Sequence, residues 1–220
     1  SRERWWMARL FRVLVSCMNV GTESMDSVKA PSIQAAGVGS MDDEAVIAAT
    51  RQWIERAVIG LNLCPFAKAV YGKGQVRFVV SRAKHLDGLL EDLDRELDVL
   101  AAADPEAVAT TLLIHPTLPP DFLDFNDFMQ LAEAAVEEHD LRGVIQIASF
   151  HPTFQFAGTE PDDIGNFTNR APFPTLHLLR EASIERAIAA FPEAETIYKR
   201  NIETLKELGY PGWQALWRKP

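Results

Sequence analysis

The sequence is short of cysteine, of positive charge and of long apolar runs, and each shortage removes a class of protein. Cys17 and Cys64 are its two cysteines. They are too few for a disulfide framework, so stability is expected from a core and not from cross-links. Lysine and arginine number 22 against 31 aspartates and glutamates, a formal net charge of −9. A surface that tracks nucleic-acid phosphates needs the opposite balance, so no nucleic-acid partner is expected. No stretch approaches the ~20 consecutive apolar residues of a membrane-spanning helix, and no membrane partner is expected either. The common signatures are missing too: no Walker A loop, no GxGxxG, no GxSxG and no HExxH.

What is present is globular material. Over 220 residues, 47% are hydrophobic and 24% charged, enough to bury a substantial core in one domain. The acidity is uneven. Residues 1–40 hold Arg2, Arg4, Arg9, Arg12 and Lys29 against Glu3, Glu23 and Asp26, which leaves the remainder more acidic than the whole. Gly21–Ser40 is rich in Ser, Gly and Ala with no apolar period and reads as linker. Leu14–Cys17 resembles a lipoprotein cleavage box, but the apolar run before it is too short and is broken by Arg12. The expected division is an extension over 1–40, with organelle targeting left open, and a single α/β domain over 41–220. The expected location is the cytoplasm.

From Asp42 the periodicity is clear. Asp42 and Asp43 cap a helix with Val46, Ile47, Trp53, Ile54, Ala57, Val58 and Leu61 on one face. Cys64-Pro65 breaks it, and Phe66–Tyr71 is a short helical turn. Gln75–Ser81, Thr110–Ile114 and Val144–Phe150 read as strands, separated by helices over His85–Ala103 and Asp121–His139. Pro174–Leu179 is a candidate fourth strand or a helix entry. Helices over Ala182–Ala190 and Glu193–Leu208 follow, divided at Phe191-Pro192, and Tyr210–Trp217 closes the chain as a packing segment. Strands joined by helices of this length imply crossovers and a mainly parallel sheet of three to four strands flanked by helices.

In such a sheet the strand C-terminal ends share one edge, where ligands bind. That places Ser81-Arg82, His115-Pro116-Thr117 and His151-Pro152-Thr153 together. The long segment Thr153–Phe173, beyond the ~12–15 residues of an ordinary connector, starts at the same edge and brings Asn166, Asn169 and Arg170 over it. His115 and His151 either cap strand ends through backbone bonds or act as metal ligands or acid–base groups. His177, between Leu176 and Leu178, is a core or rim histidine or a third ligand. Three imidazoles suit zinc, iron or copper.

Cys64 is a small buried hydrophobe, or a thiol at a helix start with a lowered pKa, acting as nucleophile with His151 as base or as a haem ligand. Arg170 either pins its loop or grips a carboxylate or phosphate of a small anionic substrate bidentately. Lys73 between glycines, the Asp121, Asp124 and Asp127 series, and Glu160, Asp162 and Asp163 are read as a turn and solvated acids.

Three strings carry a family resemblance: Trp53–Ala67 (WIERAVIGLNLCPFA); Ser149–Thr159; and Asn169–Glu181 (NRAPFPTLHLLRE). Over Met41 to Gly212 the chain resembles the family catalogued as domain of unknown function 1415. The resemblance implies a serine where Ala171 stands and a tyrosine near Phe154 or Phe173, so any chemistry resting on those hydroxyls is missing here. It implies no activity, fold or cofactor. The residues themselves point first to an enzyme, with metal-dependent redox chemistry at His115, His151 and His177, Arg170 orienting an anionic substrate, and Asn166 and Asn169 beside it. Thiol chemistry at Cys64 and His151 is the second reading. A non-catalytic module that binds a small molecule or partner through its aromatic loop is the third.

Overall fold

The computed structural model describes residues 41–118, 121–190 and 196–218. The expected extension over 1–40 and the division at Phe191-Pro192 lie outside the described residues. The first helix starts as its sequence requires: the Asp42 carboxylate accepts the Ala45 amide at 2.7 Å, satisfying one of the free N–H groups of the first turn. Helix α1 (Asp43–Trp53) runs directly into a π-helical segment, Ile54–Ile59. The widened turn closes at Gly60, where an added Cβ would stand 2.3 Å from the Arg56 carbonyl oxygen. Any larger residue would force that turn apart.

The remaining elements are α2 (Ala67–Gly72), β1 (Val76–Val80), α3 (Leu86–Ala102), β2 (Thr110–Ile114), α4 (Phe122–Glu138), β3 (Ile145–Phe150), a 3-10 turn (Ile164–Thr168), β4 (Thr175–Arg180), α5 (Glu181–Ala190) and α6 (Ile197–Ala215). The last of these is kinked at Gly209, whose φ is +62°, followed by Pro211, which has no amide to donate. The expected closing segment is therefore the second limb of that helix.

The four strands form one sheet in the order β1-β2-β4-β3. β1 pairs with β2 in parallel, whereas β4 is antiparallel to both β2 and β3. The mainly parallel sheet read from the sequence is thus corrected to a mixed one. The reason lies in the connections. Parallel neighbours need a long crossover, and helices α3 and α4 supply the two that keep β1, β2 and β3 running one way. Between β3 and β4 there is only a loop with one 3-10 turn, so the chain re-enters at the edge it left and runs back. The expected common edge survives this correction, because Ile114 and Phe150 both register with Thr175.

Alternation divides the sheet into two faces. On the first, Leu113, Ile145, Leu176 and Leu178 pack against Leu89, Leu93, Leu97 and Leu100 of α3 and Phe125, Phe128 and Met129 of α4. On the second, Leu112 and Ile114 pack with Val46, Trp53, Ile54 and Ala57, with Phe167 and Phe173 of the long loop, and with Leu205 and Trp213 of α6. At the far end Arg180 ties β4 to α3, donating from Nη2 to the carbonyls of Leu100 at 2.6 Å and Ala103 at 2.8 Å. It therefore satisfies acceptors that the end of α3 leaves open.

Candidate functional site

Each histidine at the strand-end edge is held by its own turn. Proline after the histidine bends the chain, and the amide two residues on swings back to the ring. His115 Nδ1 accepts the Leu118 amide at 2.7 Å and the Thr117 amide at 3.2 Å. With Nδ1 an acceptor, Nε2 carries the proton and donates to the Ala83 carbonyl at 2.8 Å. The ring is buried, and burial lowers its pKa against the opposing pull of the Ala83 carbonyl and Asp92. His115 is a neutral, fully engaged imidazole. His151 repeats the device: its Nδ1 accepts the Thr153 amide at 3.2 Å and lies 3.0 Å from the Thr153 hydroxyl. Its ring packs on the first face against Phe125 and Phe122, with centroids 5.1 and 5.6 Å away.

These two histidines are not neighbours, because β4 separates their strands. Two strand spacings put them about 10 Å apart, far beyond the ~4 Å between imidazoles sharing one ion at ~2 Å from each. His177 is further removed. It alternates with Leu176 and Leu178 of the first face and so projects from the second. Among the described residues no three His, Cys, Asp or Glu side chains come together to hold a metal. The trio of His115, His151 and His177 is not assembled.

Cys64 and His151 are not brought together either. Cys64 follows Leu63 in the second-face cluster, while the His151 ring lies on the first face. Helix α2 starts later than expected, with Phe66 as its N-cap. Burial pushes the Cys64 thiol pKa up, and the amides of Phe66 and Ala67, which favour the thiolate, do not offset it. The thiol is accordingly protonated and weakly nucleophilic at neutral pH.

The long loop is knit from within. Asn166 accepts the Phe156 amide at 3.0 Å and the Thr159 hydroxyl at 2.8 Å, and donates to the Glu160 carbonyl at 2.9 Å. Asn169 donates to the Ser149 carbonyl at 3.2 Å, and its own carbonyl accepts the His151 amide at 3.2 Å. Arg170 donates from Nε to the Phe154 carbonyl at 3.0 Å and from Nη2 to the Pro161 carbonyl at 2.6 Å. Two of its three nitrogens are thus committed to the loop, and a bidentate grip on an anion is not available.

His177 stands apart from all of these. It is central in β4, directly opposite Leu112 on one side and Ala148 on the other. It keeps accessible surface in a strand whose flanking residues are buried. Its one ring contact among the described residues is Phe150, at 6.1 Å between centroids, and Phe150 in turn meets Trp53 edge-on at 5.2 Å. Among the described residues its nitrogens have no hydrogen-bond partner. Desolvation holds its pKa down at about 4, so the imidazole is neutral under ordinary conditions, with one donor and one acceptor open. The sequence placed His177 between leucines; what it did not reveal was that the ring packs against Phe150 with no hydrogen-bond partner among the described residues. Tyr210, beside Arg170, was missed altogether, since nothing in the closing segment marked it.

No described helix is long and apolar enough to cross a membrane. No curated protein and no solved structure matches the chain. Residues 45–215 match the model of the family described as protein of unknown function DUF1415, and the chain belongs to that family.

Proposed function

We propose that this domain binds a small organic molecule on the second face of the sheet, with His177 as the polar anchor. The observation that carries the reading is the open imidazole in the middle of a face whose cover is mainly apolar and aromatic. Pockets for small molecules combine such walls with a few polar groups that set orientation. An imidazole that is neutral above about pH 4 favours an uncharged ligand that can both accept and donate a hydrogen bond. It is a poor proton acceptor for catalysis near neutrality, where the useful pKa lies near the working pH. It also lacks the hydrogen bond from its second nitrogen that normally orients a metal-ligating histidine. Binding is therefore supported above acid–base or metal chemistry, and the thiol reading lacks its base.

The test uses indole and benzamide as neutral probes, followed through the ring signals of the five histidines. The expected result is a saturable shift confined to His177, abolished in His177→Ala with the fold retained. Carbethoxylation mapped by mass spectrometry gives a second reading. His177 should react at least tenfold faster than His115 and His151, and bound probe should protect it. Equal protection of all three histidines without probe, or shifts that persist in His177→Ala, would overturn the proposal.

A further inference from the structure

Arg170 is a buried cation without a carboxylate. It is 7% exposed, and among the described residues no acid lies within ion-pairing distance of it. Its guanidinium rests over the Phe167 ring at 4.5 Å, and its Nε and Nη2 donate to backbone carbonyls. Among the described residues Nη1 has no hydrogen-bond partner, yet it does not belong to the unpartnered polar atoms sealed from solvent, so solvent reaches it. Tyr210 of α6 is adjacent, its ring 5.7 Å from Phe167 and its hydroxyl donating to the Asp162 carbonyl.

Burying a charge is strongly unfavourable unless it is paired. Two carbonyl dipoles and one aromatic face compensate in part, and the exposed Asp162 carboxylate helps from a distance. Burial still outweighs them and lowers the arginine's pKa. A guanidinium held rigidly on two sides, with its third nitrogen open, is pre-organised to receive one anionic oxygen.

We infer that Arg170 Nη1 is a monodentate anion subsite, beside Tyr210 where the 153–173 loop meets α6, for the carboxylate or phosphate group of a small molecule. It stands independently of the reading at His177. The ligand's negative charge completes the pairing that the protein leaves open, and Asp162 at the rim limits how tightly it binds.

The experiment titrates the full chain with inorganic phosphate, and separately with acetate, at ionic strength held constant with sodium chloride. It reads the Arg170 Nε–H resonance. We expect a saturable shift with at least one of the two anions, and the stronger anion identifies the ligand class. Asp162→Asn removes a repelling charge from an exposed position and should lower the half-saturation concentration at least threefold. Arg170→Lys should raise it at least tenfold. If Arg170→Lys does not fold, the wild type and Asp162→Asn decide. The inference is overturned if neither anion gives a saturable shift beyond matched chloride, or if Asp162→Asn leaves half-saturation unchanged.

Discussion

The two faces of the sheet are built differently. The first is covered by α3 and α4, each 17 residues long, regular and lined with leucine and phenylalanine at helical spacing. The second is covered by a helix that widens into π geometry, a loop with a 3-10 turn, and a helix kinked at Gly209. Regular helices present a continuous apolar stripe and close a face completely. The His177 ring and Arg170 Nη1, the two open groups to which ligands are assigned above, both belong to this second side, whereas the unpartnered Thr111 and Ser149 hydroxyls of the first face are sealed from solvent. A fold that follows local rules on one face and departs from them on the other concentrates its candidate chemistry where it departs.

The largest way to test this contrast is to damage the regular face. Leu93→Ala removes a fully buried side chain between α3 and the sheet and should cost about 2–5 kcal/mol in a denaturant titration. The His177 ring response to indole and benzamide should persist in the folded fraction. A loss well under 1 kcal/mol would deny that the first face is the tightly packed one.

Next is the tie between β4 and the end of α3. Arg180→Met leaves the Leu100, Ala103 and Val108 carbonyls without their donor and should cost about 2 kcal/mol. In hydrogen exchange, amides of the last turn of α3 should lose protection before those of α1.

pH separates the faces more finely. His177 binds its proton less readily folded than unfolded, so its contribution to stability is complete above the unfolded pKa near 6.5 and is lost as pH falls toward about 4. His177→Leu should flatten that part of the stability profile, leaving the smaller acid dependence of His115. An unchanged profile would mean that His177 is not desolvated.

The smallest effect has the opposite sign and belongs to the first side. His139 ends α4 and bridges two carboxylates of α3, with Nδ1 2.9 Å from Asp98 and Nε2 3.2 Å from Asp94. Desolvation opposes the charged form, but the two carboxylates together outweigh it and raise the pKa. Its contribution is therefore full below about 6.5 and disappears as pH rises through the folded value. Because the pair is solvent-screened, His139→Gln should cost at most about 1 kcal/mol at pH 6 and almost nothing at pH 9.

How much was legible followed the range of the interactions involved. Three strands, the two crossover helices and the shared edge were legible because they rest on periodicity and connection length. The direction of β4 was not, since Thr175–Arg180 reads alike either way; the absence of a helix between Phe150 and Thr175 was the usable signal. The two histidines were legible as strand ends but not as separated by β4, and their engagement depends on amides turned toward the ring by backbone angles that residue type does not encode. Arg170 was singled out for its charge. Its partners, the carbonyls of Phe154 and Pro161, carry no side-chain signature at all. The family match adds the boundary 45–215, close to the Met41–Gly212 read from the quoted strings.

The position of β4 also governs the order in which the sheet can be completed. It is the last of the described strands along the chain, yet it lies between β2 and β3, so β3 has no place in the sheet until β4 arrives. A nascent chain ending before Thr175 can pair β1 with β2 and dock α3, but β3 waits with its hydrogen-bonding groups unpaired. The native sheet is therefore incomplete until the long loop and β4 have both been synthesised. The loop that carries Arg170 thus sets the interval between the first half of the sheet and its completion.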